Sequence, residues 1–263
     1  MTRHKVLVVD DSAFMRKIIT DLITEDPAFE VIDTARNGEE AVRKVRELAP
    51  DVVTMDVEMP LMDGLKALEI IMREHPVPVV MLSSLTDAGT RETIAALELG
   101  AVDFVQKPSG SISLDLHKVK RQLLDKLQAA VRARVVRTTP LASRMNAAPR
   151  PPDAGRPERG RPSGQPSGGT IVKVAAIGTS TGGPRALQTV LSALPGDFPA
   201  PILIVQHMPP VFTKSLADRL NSLCAIRVRE AENGETPVPG TAYIAPGGRH
   251  MKLDKAATGD YRI

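Results

Sequence analysis

The chain has 263 residues, 42% of them hydrophobic and 25% charged, which suits two globular domains of ordinary size and excludes a disordered or fibrous chain. With no Trp and 3% aromatics any core must be aliphatic, and the single cysteine, Cys224, rules out an intrachain disulfide and fits a reducing compartment. Eight arginines, no lysine and two acids fall between Arg132 and Pro162, a net of +6 against +3 for the whole chain, so the rest sums to −3 and the excess basicity argues for a solvated segment, not a nucleic-acid-binding face.

The first apolar run has four residues and stops at Asp10-Asp11, too short for a signal peptide or a membrane span, so a cytoplasmic chain without membrane insertion is expected. Over residues 1–124 short apolar runs alternate with amphipathic stretches. Strands are expected at 5–9, 30–35, 51–55, 77–82 and 103–106. Helices are expected at 13–25, 38–48, 64–74 and 89–99, with a fifth from Ser113. Strands that are apolar throughout are buried on both faces, and alternation with helices predicts a five-stranded parallel, doubly wound α/β domain of the flavodoxin-like type.

Residues 125–170 carry the end of the last helix and then a Pro-, Gly- and Arg-rich stretch without apolar period, read as a flexible linker. From residue 171 to 263 a second parallel α/β pattern follows. It has strands at 171–177, 202–206, 226–229, 241–245 and 251–253, and helices at 184–194 and 212–221.

Function in an open α/β sheet gathers beyond the carboxyl ends of the strands. In the first domain those ends carry Asp10 and Asp11, Asp56, Ser83 and Ser84, and Lys107. Three carboxylates in one crevice repel each other and favour a hard divalent cation such as Mg²⁺. Lys107 offsets charge, and the Ser83 hydroxyl is suited to a bound phosphoryl group. Metal-assisted phosphoryl transfer onto Asp56 uses all of them.

The stretch 6–108 resembles a response-regulator receiver: Asp10-Asp11, Asp56 with Met59-Pro60, Asp63-Gly64, Ser83, Phe104 and Lys107-Pro108 stand where that family has its functional residues. The resemblance implies that Asp11, Asp56 and the backbone carbonyl of Glu58 hold Mg²⁺, with Asp10 acting through water. It also implies that Asp56 is the phosphoacceptor, that Ser83, Phe104 and Lys107 form the switch, and that the Lys107–Pro108 peptide is cis.

In the second domain Gly178-Thr179-Ser180-Thr181-Gly182 fits G-x-S-x-G between a strand and a helix, the setting of a nucleophile elbow. No Lys-Ser/Thr follows the glycines, which argues against a phosphate-cradling Walker loop. His207 ends the next strand, where it can serve Ser180 as general base. His4, His75 and His117 have no comparable setting, His250 is at most a residue lining the site, and Cys224 reads as a small buried residue.

Together with Gln206-His207-Met208-Pro209-Pro210, 231–235 and 243–247, this elbow resembles the methylesterase domain of the CheB family. The resemblance implies hydrolysis of glutamate methyl esters on methyl-accepting chemoreceptors and deamidation of receptor glutamines, with no cofactor for the esterase. It further implies a chemotaxis histidine kinase as phosphodonor and a receiver that covers the esterase cleft until phosphorylated. The family's third triad member is an Asp in a Gly-Met-Gly-x-Asp-Gly motif. That motif is absent here and neither Asp254 nor Asp260 matches it, so the hydrolase domain is expected to be incomplete at its C-terminal side. The competing reading is a phosphorylation-gated module that binds receptor or kinase without catalysis. A DNA-binding regulator is disfavoured, since no helix-turn-helix with a basic recognition helix follows the linker.

Overall fold

The computed structural model describes residues 3–84, 86–107, 113–133, 173–255 and 261–263. The expected linker after residue 133 and Pro108, with its expected cis bond, lie outside these.

The first half contains β1 (His4–Val9), α1 (Ala13–Thr24), β2 (Phe29–Ala35), α2 (Gly38–Leu48), β3 (Val52–Asp56), α3 (Gly64–Glu74), β4 (Val79–Ser83), α4 (Asp87–Leu99), β5 (Asp103–Gln106) and α5 (Ser113–Arg132). Its strands form one parallel sheet in the order β2-β1-β3-β4-β5. Because side chains alternate along a strand, β1 feeds both layers. Val6 and Val8 face α1 and α5, packing with Ile19, Ile23, Leu123 and Leu127, whereas Leu7 and Val9 face α2 and α3, packing with Val45, Leu68 and Ile71.

Local signals set the helix starts. Ser12, Asn37, Asp63 and Thr86 each accept a backbone N–H of the first turn through the side chain, which satisfies a donor the helix leaves free. The Thr86 cap explains why α4 begins two residues before the expected start at 89. Pro78, which has no N–H to donate, delays β4 to Val79 while its carbonyl still accepts from Val53.

The second half contains β6 (Ala175–Thr179), α6 (Gly183–Ser192), β7 (Ile202–Gln206), α7 (Phe212–Leu223), β8 (Arg227–Glu230), β9 (Thr241–Ile244), β10 (Asp254–Lys255) and β11 (Tyr261–Arg262). A parallel sheet runs β6-β7-β9-β8, and β10 and β11 form a separate antiparallel pair. The strand expected at 251–253 is not one: those residues are irregular, and pairing begins at Asp254 with Arg262 opposite. An apolar pair, Met251 and Leu253, gave the expectation, but among the described residues no strand pairs with it.

The apolar layer under α3 and α4 continues into the second half. Ile94 and Leu97 of α4 close a narrow groove with Pro184 of α6 and Leu216 and Leu220 of α7. Phe104 packs on Phe212, and Arg219 donates two hydrogen bonds to Glu98, at 2.6 and 2.9 Å.

Candidate functional sites

At the carboxyl ends of the first sheet, Asp10 and Asp56 are buried and Asp11 is exposed, and one carboxylate oxygen from each lies within 4.8 Å of the others. Lys107 Nζ sits 2.8 Å from Asp10 Oδ2 and 2.6 Å from Asp56 Oδ2. Arg16 braces the same corner from α1, donating to the main-chain carbonyls of Asp10 and Asp11 at 2.7 and 3.0 Å. Gly64 allows the start of α3 to approach β3, since a Cβ there would lie 1.9 Å from the Asp56 carbonyl oxygen. The open depression of about 520 Å³ that results is lined by Asp11, Asp56, Val57, Glu58, Met59, Pro60, Ser84 and Lys107.

Burial pushes the Asp56 carboxyl up to about 6; the ammonium of Lys107 opposes this and the Asp10 charge reinforces it. Burial alone would lower Lys107, but the two carboxylates beside it outweigh that and hold it above its ordinary range. Asp10 Oδ2 is buried, and the Lys107 ammonium at 2.8 Å is its counter-charge. Three carboxylates against one ammonium leave an excess of negative charge on clustered oxygens and fit a hard divalent cation bound through oxygen.

Ser83 does not line this depression. Its hydroxyl is buried on the α4 side, where it accepts from Thr93 Oγ1 at 2.6 Å and lies 3.1 Å from the Ser84 carbonyl and 3.3 Å from that of Gly89. Phe104 is buried, stacked on Phe212 and capped by Lys126, whose Nζ lies 4.9 Å from the ring centroid and donates to the Asp103 carboxylate. Thr93, Lys126, Arg16 and Phe212 were not singled out in the sequence. None belongs to a motif, and only the fold brings them to the strand ends.

In the second half, β6 and β7 are neighbours in register, Thr179 opposite Gln206, so the next residues of each strand emerge side by side. Ser180 Oγ lies 3.4 Å from His207 Nδ1. With Nδ1 as acceptor, the neutral ring carries its proton on Nε2. Gly182, at φ +75°, turns the chain into α6, a conformation open to glycine at little cost.

Gln206, the last residue of β7, is buried: its Oε1 accepts from Thr179 Oγ1 at 2.7 Å and its Nε2 donates to the carbonyls of Ser180 at 3.0 Å and His207 at 3.3 Å. Both Ser180 and His207 are exposed, and the receiver half leans on α6 and α7 beside them. Its contact face, α4 with Phe104, meets the helix layer that follows Ser180 and His207. His250 is exposed on the loop after β9, Asp254 is exposed in β10, and Cys224 is partly buried with its thiol pushed up by burial. Asp260 lies outside the described residues. Among the described residues no helix is long and apolar enough to cross a membrane.

Two parallel α/β units, one with an acidic crevice and one with a serine–histidine pair, define a response-regulator receiver joined to a hydrolase. Residues 6–117 match the response regulator receiver domain, and residues 175–262 match the CheB methylesterase family. The chain is similar to a protein-glutamate methylesterase/protein-glutamine glutaminase of Oceanobacillus iheyensis, 54% identical over 97% of this chain and 70% of that protein. It is also similar to one of Geobacillus kaustophilus, 56% identical over 95% of this chain and 68% of that protein. The crystal structure of the response regulator domain of Thermotoga maritima CheB is 50% identical, with TM-score 0.47, covering 51% of this chain and 99% of that one. The chain belongs to the protein-glutamate methylesterase/protein-glutamine glutaminase family of chemotaxis.

Proposed function

We propose that Ser180 is the nucleophile and His207 its general base in the hydrolysis of glutamate methyl esters on methyl-accepting chemoreceptors. The supporting observation is the 3.4 Å approach of Ser180 Oγ to His207 Nδ1 on adjoining strand ends. The histidine takes the hydroxyl proton as Oγ attacks the ester carbon, then gives it to the departing oxygen as methanol. Water, activated by the same ring, cleaves the acyl-serine and releases glutamate. Starting from a receptor glutamine, the same route expels ammonia and leaves the same product.

In this reading Asp56 accepts a phosphoryl group from a chemotaxis histidine kinase in the cytoplasm. Asp11, Asp56 and the Glu58 carbonyl would hold Mg²⁺, with Asp10 acting through water. The cation would neutralise charge on the phosphoryl oxygens during transfer. Lys107 balances the loaded crevice, and Ser83 and Phe104 relay its state to α4. Nucleic acid has no part in it, and the chain does not insert into a membrane.

The test is methanol release from a methylated receptor by the full-length protein, with and without a phosphodonor. Ser180→Ala is expected to remove turnover by several powers of ten. Turnover that survives the substitution rejects the catalytic assignment, and turnover indifferent to the donor rejects the regulatory one. Donor-dependent binding without turnover by the wild type supports the binding-module reading instead.

A further inference from the structure

The two reacting side chains are exposed at the surface, yet the main chain beneath them is tied to one buried side chain. The β6–β7 ladder ends with the His207 N–H donating to the Thr179 carbonyl at 2.9 Å. Past that point nothing in the sheet fixes the distance between the two strands. Gln206 takes over: its amide nitrogen spans from the Ser180 carbonyl to the His207 carbonyl, and its oxygen is held by the Thr179 hydroxyl. Since both acceptors of the nitrogen are carbonyl oxygens, the orientation of the amide is dictated: the NH₂ must face them and the oxygen must face the hydroxyl. The fit is close enough that a Cβ on Gly183 would lie 2.0 Å from Gln206 Oε1, so the first residue of α6 must be glycine for the amide to sit there.

We propose that Gln206 is a positioning residue for the hydrolytic reaction, setting the separation and orientation of Ser180 and His207 by clamping their two main-chain carbonyls. The inference rests on the reading of Ser180 as nucleophile. Clamping has a second effect. The Ser180 carbonyl accepts from both Gln206 Nε2 and the Gly183 N–H, the latter at 2.8 Å, which fixes the plane of the following peptide. That peptide is trans, so its Thr181 N–H points away from the clamp, as the donor that follows the nucleophile in such an elbow must if it is to meet negative charge on the attacked carbonyl oxygen.

The carboxylate of Gln206→Glu has nearly the same shape but turns an oxygen toward two carbonyls, so the clamp reverses from attraction to repulsion. In the full-length enzyme, this variant is expected to lose about 10- to 100-fold in kcat with KM within about twofold, since misplacement of reacting groups by an ångström costs about that much. Rates are normalised to folded protein by thermal unfolding, so a change that only lowers the folded fraction does not count.

Phosphonylation of the serine by a fluorophosphonate, followed by intact mass, gives a second readout that needs no receptor and is expected to slow in parallel. Thr179 supplies an independent arm if the charged variant does not fold. Thr179→Val, which releases the amide oxygen, is expected to slow both reactions, and Thr179→Ser, which keeps the hydroxyl, to restore them. Ser180→Ala is the control. If it is unlabelled and inactive while Gln206→Glu, or Thr179→Val in its place, reacts at the wild-type rate, the positioning role is overturned and the nucleophile stands. If Ser180→Ala is itself labelled at the same site or active, the nucleophile reading falls and the clamp with it.

Discussion

Phe104 of β5 and Phe212, the first residue of α7, stack across the contact between the two halves with ring centroids 4.4 Å apart and planes inclined by 30°. Both rings are fully or almost fully buried, so each loses its contact with the other half and its own core when truncated. Phe212→Ala is expected to lower the unfolding free energy by about 3 kcal/mol. A double-mutant cycle with Phe104→Ala should isolate a coupling of about 1 kcal/mol, read from denaturant titrations. No coupling would mean that the rings stack without holding the halves together.

The ion pair between Glu98 and Arg219 crosses the same contact but is partly exposed, with Arg219 45% accessible. Water and salt screen such a pair, and its two long side chains lose freedom in forming it, so Arg219→Ala is expected to cost less than about 1 kcal/mol, falling further at high salt. By this comparison the aromatic pair is expected to contribute more to the docking than the ion pair.

Asp56 makes stability depend on pH in an unusual direction. Its native pKa of about 6 lies above the ordinary 3.8, so between those values the folded chain holds a proton that the unfolded chain has released. Stability from this group therefore falls as pH rises from about 4 to 6 and stays reduced above, by roughly 3 kcal/mol. Without added metal, Asp56→Asn should raise the melting temperature at pH 7.5 and have little effect at pH 4, measured by calorimetry. A melting temperature that drops at pH 7.5 would contradict the burial cost.

Mg²⁺ should reverse that cost. A cation bound only by the folded state stabilises it in proportion to the logarithm of its concentration, by about 2.7 kcal/mol at one hundred times its dissociation constant. Titrating Mg²⁺ should raise the melting temperature of the wild type. Asp11→Asn, a change at an exposed residue, should flatten the response while leaving the metal-free value close to wild type.

Thr93 holds the Ser83 hydroxyl on the α4 side through a buried hydrogen bond of 2.6 Å. Thr93→Val keeps the shape and removes the donor, at a cost of about 1 kcal/mol. With its tie gone, Ser83 should turn toward the crevice more readily. The lifetime of the aspartyl phosphate, followed with radiolabelled donor, should change in Thr93→Val and stay fixed in the exposed control Thr24→Val.

The apolar runs made the first sheet legible because strands buried on both faces leave little ambiguity, as in Val6–Val9 and Val79–Leu82, whereas β6 and β7 are only partly covered. The candidate site residues were legible for a related reason: Asp10, Asp56, Lys107, Ser180 and His207 are polar groups at the ends of apolar strands, where the sheet geometry gathers them. What the sequence hid were supports without a pattern of their own. Gln206 is one polar residue closing an apolar strand, next to a histidine that draws the attention, and its role depends on a neighbouring strand contributing Thr179 and Ser180. Phe212 reads as an ordinary amphipathic position in a helix, and nothing local says that its partner lies in the other half.

The halves touch through the flank of α4 and the Phe104 ring, while the mouth above Asp56 opens elsewhere, rimmed by Asp11, Met59 and Pro60. If Asp56 is the phosphoacceptor proposed above, a donor would reach it while the halves are still joined. Loading would then not have to wait for a rare spontaneous parting, and docked molecules would answer a signal directly.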